Sequence, residues 1–310
     1  MPTTNTLMAE YPVPVTHLDK PLWPELGVTK AEYIQYMITM SRVMLPHYEN
    51  RLLTVIRYPH GIHDKSFYQK NLPDGAPEWI RTHGVWSDDS QREIQYILAN
   101  NTATLIWLAN QAAMELHPSY SRIENLDQPT NIAFDLDPTV KSVSLEGFQK
   151  ASRVALLLQE VLGDLGLPSY PKTSGATGIQ VFVPIARGYT FDDTRRITEF
   201  IGRFMAQKAP EIVTIERLKK NRGDKVYFDY LQHHKNKTLS GPYTPRAVES
   251  AAVSAPLTWE EIREGVRPEQ FSIRTMPKRI EEVGDLFLPM SRPGVEIRDI
   301  LHFIKYHPNG

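Results

Sequence analysis

The segment Asn131–Pro138, with the sequence NIAFDLDP, places two carboxylates within an apolar run. Side chains on a strand alternate between its two faces, so Asp135 and Asp137 are expected to point the same way, with Leu136 on the opposite face. Two like charges in one small volume repel each other unless a divalent cation or a shared proton relieves the repulsion. The spacing therefore predicts a metal-binding pair, and a strand that runs into a solvated Asp-Pro turn is the alternative.

A third carboxylate, Asp229, lies near the end of a second β-rich segment, Lys225–Gln232. Three carboxylates on two strands provide the oxygen donors of a two-metal phosphoryl-transfer site, where cations about 3.5–4 Å apart clamp the attacking and leaving oxygens. Between residues 217 and 246 the chain has eight lysines and arginines but only two acidic residues. A positive field of this kind suits a polyanionic substrate, and a solvated basic surface is the alternative.

The composition is that of an ordinary globular protein, with 310 residues, 41% hydrophobic residues and a net charge of −1. The chain has no cysteine, which excludes disulfides, thiolate metal ligands and cysteine nucleophiles. It has no apolar run of about 20 residues, and the N-terminus lacks the basic start and apolar stretch of a signal peptide. We therefore expect a cytoplasmic protein, in which residues 1–310 form one domain with a loose leader at 1–15.

The predicted helices and strands bring these residues onto one scaffold. Thr29 is expected to cap a helix that starts at Lys30, because apolar residues recur there at helical spacing. A strand over Arg51–Pro59 is predicted to turn back into another over Ser66–Lys70. Further helices are predicted at Thr102–Glu115, Leu145–Leu165, Asp193–Ala209, Trp259–Glu264 and Ile297–Tyr306.

Three further segments carry groups that could bind phosphate. The loop within Pro171–Pro184 has glycines and hydroxyl residues that leave backbone N–H groups approachable by phosphate oxygens. Taken alone, this loop favours the alternative of a glycine-rich hairpin without a ligand. The proline-rich loop Ser240–Arg246 would fix Arg246 for a bidentate phosphate contact. His117 precedes the aspartate strand by fewer than twenty residues and could donate to a phosphate or a leaving oxygen, or simply cap the preceding helix.

Other candidates lie nearer the N-terminus. Phe67 and Tyr68, beside a glutamine and a lysine, could stack on bases if they are exposed, whereas burial in the core is the alternative. Lys20 and Lys30 flank a proline-rich turn and a helix start, and their spacing alone indicates no more than two surface lysines.

Eight segments, taken in order, resemble one known family over nearly the whole chain. They are LDKPLWPE with the later TK, RYPHGIHDKSFYQK, ELHP, FDLDP, KTSGATGIQVFVP, RLKKNRGDKVYFDYLQ, GPYTPRA and GDLFLPM. Their order and spacing resemble the polymerase domain of bacterial DNA ligase D, a member of the archaeo-eukaryotic primase superfamily used in non-homologous end joining. The resemblance implies an α/β (α+β) fold, with a two-lobed primase-like catalytic core around an RRM-like antiparallel or mixed sheet flanked by helices.

The resemblance also implies roles for individual residues. The metal carboxylates would be Asp135, Asp137 and Asp229, holding two divalent cations, Mn²⁺ or Mg²⁺. The groups that bind the incoming NTP or dNTP and position the reaction would be His117, Ser174, Arg222, Gln232 and Arg246, with Thr177 facing the triphosphate. The groups that bind DNA would be Lys20 and Lys30, at the 5′-phosphate of a gap or end, and Phe67 and Tyr68, against the template.

This sequence departs from the family pattern at two positions of the glycine-containing loop. Thr177 stands where the family usually has a lysine, so we expect either weaker nucleotide affinity or a positive charge supplied from elsewhere. Gln180 stands where a histidine is often found. Neither departure replaces one of the metal carboxylates, so we expect an effect on the kinetics and not on the reaction. We expect no ligase or nuclease domain within residues 1–310, and the chain is either a free-standing polymerase or one domain of a larger protein.

The expected function is template-directed addition of nucleotides, with a preference for ribonucleotides, to a primer 3′-OH at DNA breaks and short gaps. The expected partners are 5′-phosphorylated DNA and nucleoside triphosphates, together with Ku and a separate or fused ligase, in a cytoplasmic, nucleoid-associated setting without a membrane. A two-metal nuclease or a non-catalytic module that binds DNA ends are the alternatives.

Overall fold

The computed structural model describes residues 5–8, 10–139 and 144–307. Its strands are β1 (Asn5–Met8), β2 (Pro12–Val15), β3 (Pro21–Trp23), β4 (Val28–Thr29), β5 (Leu53–Arg57), β6 (Phe67–Gln69), β7 (Thr82–Ser87), β8 (Arg92–Ile97), β9 (Ala113–Pro118), β10 (Ser121–Arg122), β11 (Asn125–Pro129), β12 (Asn131–Pro138), β13 (Tyr170–Thr173), β14 (Ile179–Pro184), β15 (Val213–Thr214) and β16 (Val226–Phe228). Its α-helices are α1 (Lys30–Tyr48), α2 (Thr102–Asn110), α3 (Leu145–Asp164), α4 (Phe191–Lys208), α5 (Trp259–Arg263), α6 (Met276–Val283) and α7 (Arg298–Tyr306). Within the described ranges, no helix is both long and apolar enough to cross a bilayer.

The N-terminal half is built around a five-stranded sheet in which β5 pairs with β6, β8 and β9, and β7 pairs with β8, all antiparallel. Helix α1 begins as predicted, because the Thr29 hydroxyl accepts the N–H of Glu32 while the Glu32 carboxylate accepts the N–H of Thr29. This reciprocal cap fixes Lys30 at the first position of α1, close to the turn that carries Lys20.

The C-terminal half contains a second five-stranded sheet, in the order β13-β14-β12-β16-β15. The central strand, β12, is antiparallel to β14 on one edge and to β16 on the other, and only β15 and β16 are parallel. Phe134 and Leu136 on one face of β12 are buried, and the Phe134 ring meets the Phe228 ring edge to face at 5.7 Å. Helices α3 and α4 pack on β12, so this apolar face anchors the strand that carries the two aspartates.

The helix predicted over Thr102–Glu115 is wrong at its C-terminal end. Helix α2 ends at Asn110, Ala112 adopts a left-handed conformation with φ 53°, and the chain continues as β9. Pairing of β9 with β5 gives its buried backbone groups hydrogen-bond partners. His117 therefore lies on a strand, which excludes a helix-capping role for it.

The prediction of a loose leader over 1–15 is also wrong for the described part of that segment. Strands β1 and β2 form an antiparallel hairpin. Val13 and Val15 alternate with exposed prolines and are buried in the main core. The period of two in PVPV is enough to make one apolar face. Residues 1–4 and 9 lie outside the described residues.

Candidate active site

The three predicted metal carboxylates lie on one face of the second sheet. Strand alternation puts Asp135 and Asp137 on the face of β12 opposite Leu136. The backbone N–H of Asp229 donates to the carbonyl of Asp135 at 3.0 Å, which continues the register of β12 with β16. Side chains directly opposite in such a pair have Cβ atoms about 4.5–5.5 Å apart. The structure thus places the three carboxylates on one sheet face, where their charges affect one another.

The carboxylates affect one another electrostatically. Burial, followed by the negative charge of Asp137, raises the pKa of Asp135 well above its usual range, and a hydrogen bond from Gln180 only partly opposes this. Burial and the charge of Asp229 also raise the pKa of Asp137, against the positive charge of Arg222. A cation bound between these groups would remove the repulsion that, together with burial, raises the pKa values of Asp135 and Asp137.

The residues suit divalent cations by their donor chemistry, since Mg²⁺ and Mn²⁺ prefer carboxylate oxygens. Within the described ranges, however, no group of three acidic, histidine or cysteine side chains is already arranged around a metal position. Asp229 Oδ1 accepts the Tyr227 hydroxyl and the N–H of Leu231, each at 3.1 Å. Binding of a cation therefore requires Asp229 to turn or to use its other oxygen.

The turn between β13 and β14 holds Ser174 close to the aspartate strand. The Ser174 hydroxyl oxygen accepts the N–H groups of Ala176 at 3.2 Å and of Gly178 at 3.0 Å, so its own proton remains to donate to an anion. The N–H of Gly175 is also bonded within the loop, to Thr173 Oγ1. The predicted phosphate cradle of free backbone amides is therefore wrong for these three groups. Thr177, half-buried, lies in this turn.

Glycine is required at position 178 by close packing against β12. A Cβ atom there would lie 2.7 Å from the carbonyl oxygen of Leu136 and 3.2 Å from Asp137 Oδ1. We expect Gly178→Ala to lower the free energy of unfolding by about 1–3 kcal/mol through overpacking. It should also weaken Mn²⁺ binding, because the Asp137 carboxylate must move.

Chemical denaturation and calorimetric titration with Mn²⁺ measure these two effects. The matched control is Gly163→Ala in α3, where a Cβ atom would have no heavy atom within 4 Å. That variant should keep the wild-type Mn²⁺ affinity and gain up to about 1 kcal/mol in stability. Equal stability of the two variants would show that the contact at position 178 is harmless.

Arg246 and His117 meet at a buried glutamate that sequence reasoning missed. Glu115 Oε2 lies 3.0 Å from Arg246 Nε and 3.1 Å from His117 Nε2, and its side chain is only 6% exposed. Burial raises the pKa of Glu115, but its hydrogen bond with His117 and the charge of Arg246 outweigh this and hold the pKa at about 2. Arg246 Nη1 also donates to the carbonyl of Ser174 at 2.7 Å. The network joins β9 of the first sheet to the loop of the second.

Arg222 and Gln232 flank the carboxylates on the β16 side. The Arg222 guanidinium stacks over the Tyr227 ring at 3.6 Å and donates to the carbonyls of Glu216 and Arg217. Gln232 Nε2 donates to the carbonyl of Thr238 at 2.9 Å. Arg222 is thus held beside Asp137, where its charge affects the pKa of that residue.

Two of the DNA-binding candidates, Lys20 and Lys30, form a second cationic group together with Arg57 of β5. Lys30 is buried, and its ammonium donates to the Thr16 carbonyl at 2.7 Å and to Asn110 Oδ1 at 3.0 Å. Burial, then the nearby charges of Lys20 and Arg57, lower the pKa of Lys30 to about 8. A buried ammonium with two of its three protons engaged differs from an ordinary surface lysine.

The aromatic pair beside this group is exposed, which excludes burial in the core. Phe67 is 43% and Tyr68 is 74% exposed. The Arg57 guanidinium lies over the Phe67 ring at 5.1 Å. Sequence reasoning missed Arg57, although its place opposite Phe67 in the predicted hairpin is a signal that could have found it.

A family model for the LigD primase-polymerase domain matches residues 29–287. The chain is 40% identical over 293 residues to the bifunctional non-homologous end joining protein LigD of Bacillus subtilis, covering 94% of this chain and 46% of that protein. It is 33% identical over 282 residues to the multifunctional LigD of Mycolicibacterium smegmatis, covering 90% of this chain and 36% of that protein. The chain thus spans less than half the length of these two relatives.

A solved structure, the polymerase domain from Mycobacterium tuberculosis ligase D in complex with DNA, is similar with a TM-score of 0.83 and 29% identity. The match covers 90% of this chain and 98% of that chain, and it confirms the predicted fold class. The single domain over 1–310 and the roles of the site residues stay predictions. Since the family model covers most of the sequence, the chain belongs to the LigD primase-polymerase domain family.

Proposed function

We propose that this chain extends a primer 3′-OH by template-directed nucleotide addition at DNA breaks and short gaps, by two-metal catalysis. The observation that carries the proposal is the placement of Asp135, Asp137 and Asp229 on one sheet face, next to the cations Arg222 and Arg246. Acidic groups that repel one another, surrounded by arginines, suit a reaction between metal-bound oxygens and a triphosphate.

The chain's own residues divide the work between them. Two bound cations, Mn²⁺ or Mg²⁺, would supply Lewis-acid activation of the 3′-OH and stabilise the pyrophosphate leaving group. Asp135, Asp137 and Asp229 would hold these cations. Ser174 would donate its free hydroxyl proton to the triphosphate, and Arg246 would neutralise it.

Four more predicted residues complete this assignment. Arg222 lies beside Asp137 and would neutralise triphosphate charge that Thr177 cannot. Gln232, whose backbone N–H donates to the Asp229 carbonyl, would orient the nucleotide. His117 would hold Glu115 and Arg246 in place behind the bound nucleotide.

The second cationic group supports the DNA part of this assignment. Lys20 and Lys30 would bind the 5′-phosphate of a gap or end, and Phe67 and Tyr68 would stack on the template. Nucleoside triphosphates would be used with a preference for ribonucleotides, and Ku and a ligase would act with the chain at a break.

The test is extension of a labelled primer on gapped DNA with a 5′-phosphate, using rNTPs or dNTPs and Mn²⁺ or Mg²⁺. Templated addition that requires both a metal and a nucleotide supports the proposal. Shortening of the primer without nucleotide would indicate a nuclease instead. DNA affinity that is indifferent to metal and nucleotide, without any extension, would indicate an end-binding module.

The pKa of Lys30 predicts a pH dependence of 5′-phosphate recognition. The ammonium is charged below about pH 8 and loses its proton as the pH rises through that value. Affinity for gapped DNA with a 5′-phosphate should therefore fall between pH 7 and 9, measured by fluorescence anisotropy, by about 10-fold if one charge-assisted hydrogen bond is lost. DNA with a 5′-hydroxyl is the control. The same pH dependence for both DNAs would contradict the assignment of Lys30.

A further inference from the structure

A fully buried lysine lies at the end of a hydrogen-bonded row that leads to Asp135. Lys172 on β13 has no exposed surface, and its ammonium donates to Gln180 Oε1, to the Ser240 carbonyl at 2.8 Å and to Ser254 Oγ at 2.6 Å. Gln180 lies opposite Lys172 in the sheet, and Asp135 lies opposite Gln180 on the next strand. None of the ion pairs in the described part of the chain includes Lys172.

With Lys172 protonated and Asp135 ionised, the donors and acceptors in this row allow only one direction. An ammonium can only donate, so the amide oxygen of Gln180 must face Lys172. Its NH₂ group then faces Asp135 and donates to Oδ1 at 3.1 Å. A carboxylate accepts, so each member of the row fixes the orientation of the next. Without Lys172, the Gln180 amide could turn and present its oxygen to Asp135, which would repel the carboxylate.

We infer that Lys172 is a positioning residue that acts through Gln180. It holds one carboxylate oxygen of Asp135 in a hydrogen bond and leaves the other for a divalent cation. This inference rests on the proposed function, because it assigns the row to the proposed metal ligand. Gln180 thus takes the position where the family that this chain resembles often has a histidine. An amide can face either way, and the hydrogen bond from Lys172 determines which way it faces.

A purely structural role for Lys172 makes a different prediction. The ammonium also joins the Ser240 loop to the Ser254 segment, so its removal would lower stability whether or not Asp135 is affected. Ser254→Ala separates the two roles, because it removes one partner of Lys172 without touching Gln180. A structural role predicts that the two variants share one defect, whereas a positioning role predicts a metal-binding defect only on the Gln180 branch.

The test measures Mn²⁺ binding to the full chain by calorimetry, without DNA or nucleotide, in Lys172→Met, Gln180→Leu, their double variant and Ser254→Ala. We expect the first two to weaken Mn²⁺ binding at least 10-fold, and the double variant to be no weaker than either. Ser254→Ala should keep the wild-type affinity, although its thermal midpoint falls. In primer extension, Lys172→Met should raise the Mn²⁺ concentration for half-maximal rate more than it lowers the rate at saturating Mn²⁺.

Wild-type Mn²⁺ affinity in folded Gln180→Leu would overturn the inference, even if Lys172→Met failed to fold. Equal losses of affinity in Lys172→Met and Ser254→Ala would also overturn it, in favour of a structural role. If the wild-type chain extends no primer and binds no Mn²⁺, the proposed function itself fails, and this outcome is distinct from the other two.

Discussion

Asp137→Ala should reduce templated primer extension by about 10³-fold or more while leaving the protein folded. Losing a catalytic cation removes several kcal/mol of transition-state stabilisation, and each 1.36 kcal/mol corresponds to a factor of about ten in rate. Asp135→Ala should have an effect of the same size, because both carboxylates lie on one face of β12. Single-turnover extension with saturating Mn²⁺ and nucleotide measures the loss.

Thermal unfolding without metal provides the folding control for this prediction. Burial and the charge of Asp229 raise the pKa of Asp137. At pH values above the usual aspartate pKa, the ionised Asp137 carboxylate therefore destabilises the metal-free protein. Asp137→Ala should therefore unfold at a temperature no lower than the wild type at neutral pH. The matched control is Asp224→Ala, which removes an exposed carboxylate paired with Lys150 and should extend normally. Extension retained by both active-site variants would exclude this metal site.

Arg246→Ala should raise the KM for the nucleotide by about 100-fold and also destabilise the fold. The guanidinium would contribute charge-assisted hydrogen bonds to the triphosphate, each of about 1.5–3 kcal/mol. Its removal also leaves Glu115 buried without its ion-pair partner, and breaking such a pair costs about 3–5 kcal/mol. Steady-state kinetics and denaturant unfolding measure the two effects separately.

A compensating variant separates the two roles of Arg246. The pKa of Glu115 is lowered to about 2, so its stabilising contribution is present above pH 4.5 and is lost as the pH falls towards 2. This contribution amounts to about 3 kcal/mol in the wild type. Adding Glu115→Gln to Arg246→Ala should recover much of the lost stability and remove most of the acid dependence, while the KM stays high. An unchanged KM in Arg246→Ala would contradict the nucleotide-binding role.

Local patterns predicted the elements that carry the carboxylates. The alternation in Asn131–Pro138 gives the observed strand and shared face, because pairing at both edges of β12 enforces a period of two. The capped start of α1 and the extents of α3 and α4 also follow from local signals. The boundary at Ala112 does not, because an apolar segment fits a buried strand as well as a helix and only pairing with β5 decides between them.

The residues that the sequence analysis missed act across the chain. The pairing of Glu115 with Arg246 depends on β9, because the two residues lie 131 positions apart in the sequence. Lys172 looked like part of a loop motif, and its link to Asp135 needs the register of three strands. Nothing in the sequence separates Tyr227 from the other aromatic residues, whereas in the structure its hydroxyl donates to Asp229 Oδ1. Register and long-range pairing, rather than residue type, determine these contacts.

The central position of β12 also bears on motion. Its backbone pairs with β14 over Asn131–Leu136 and with β16 over Leu136–Pro138, and α3 and α4 cover its apolar face, so we expect it to open only in global unfolding. Arg246 and the Ser174 turn lie in loops, which open more readily in local fluctuations. The two aspartates of β12 should thus keep their positions during local fluctuations that move Arg246 and the Ser174 turn. A triphosphate would then bind as these loops close over the aspartates.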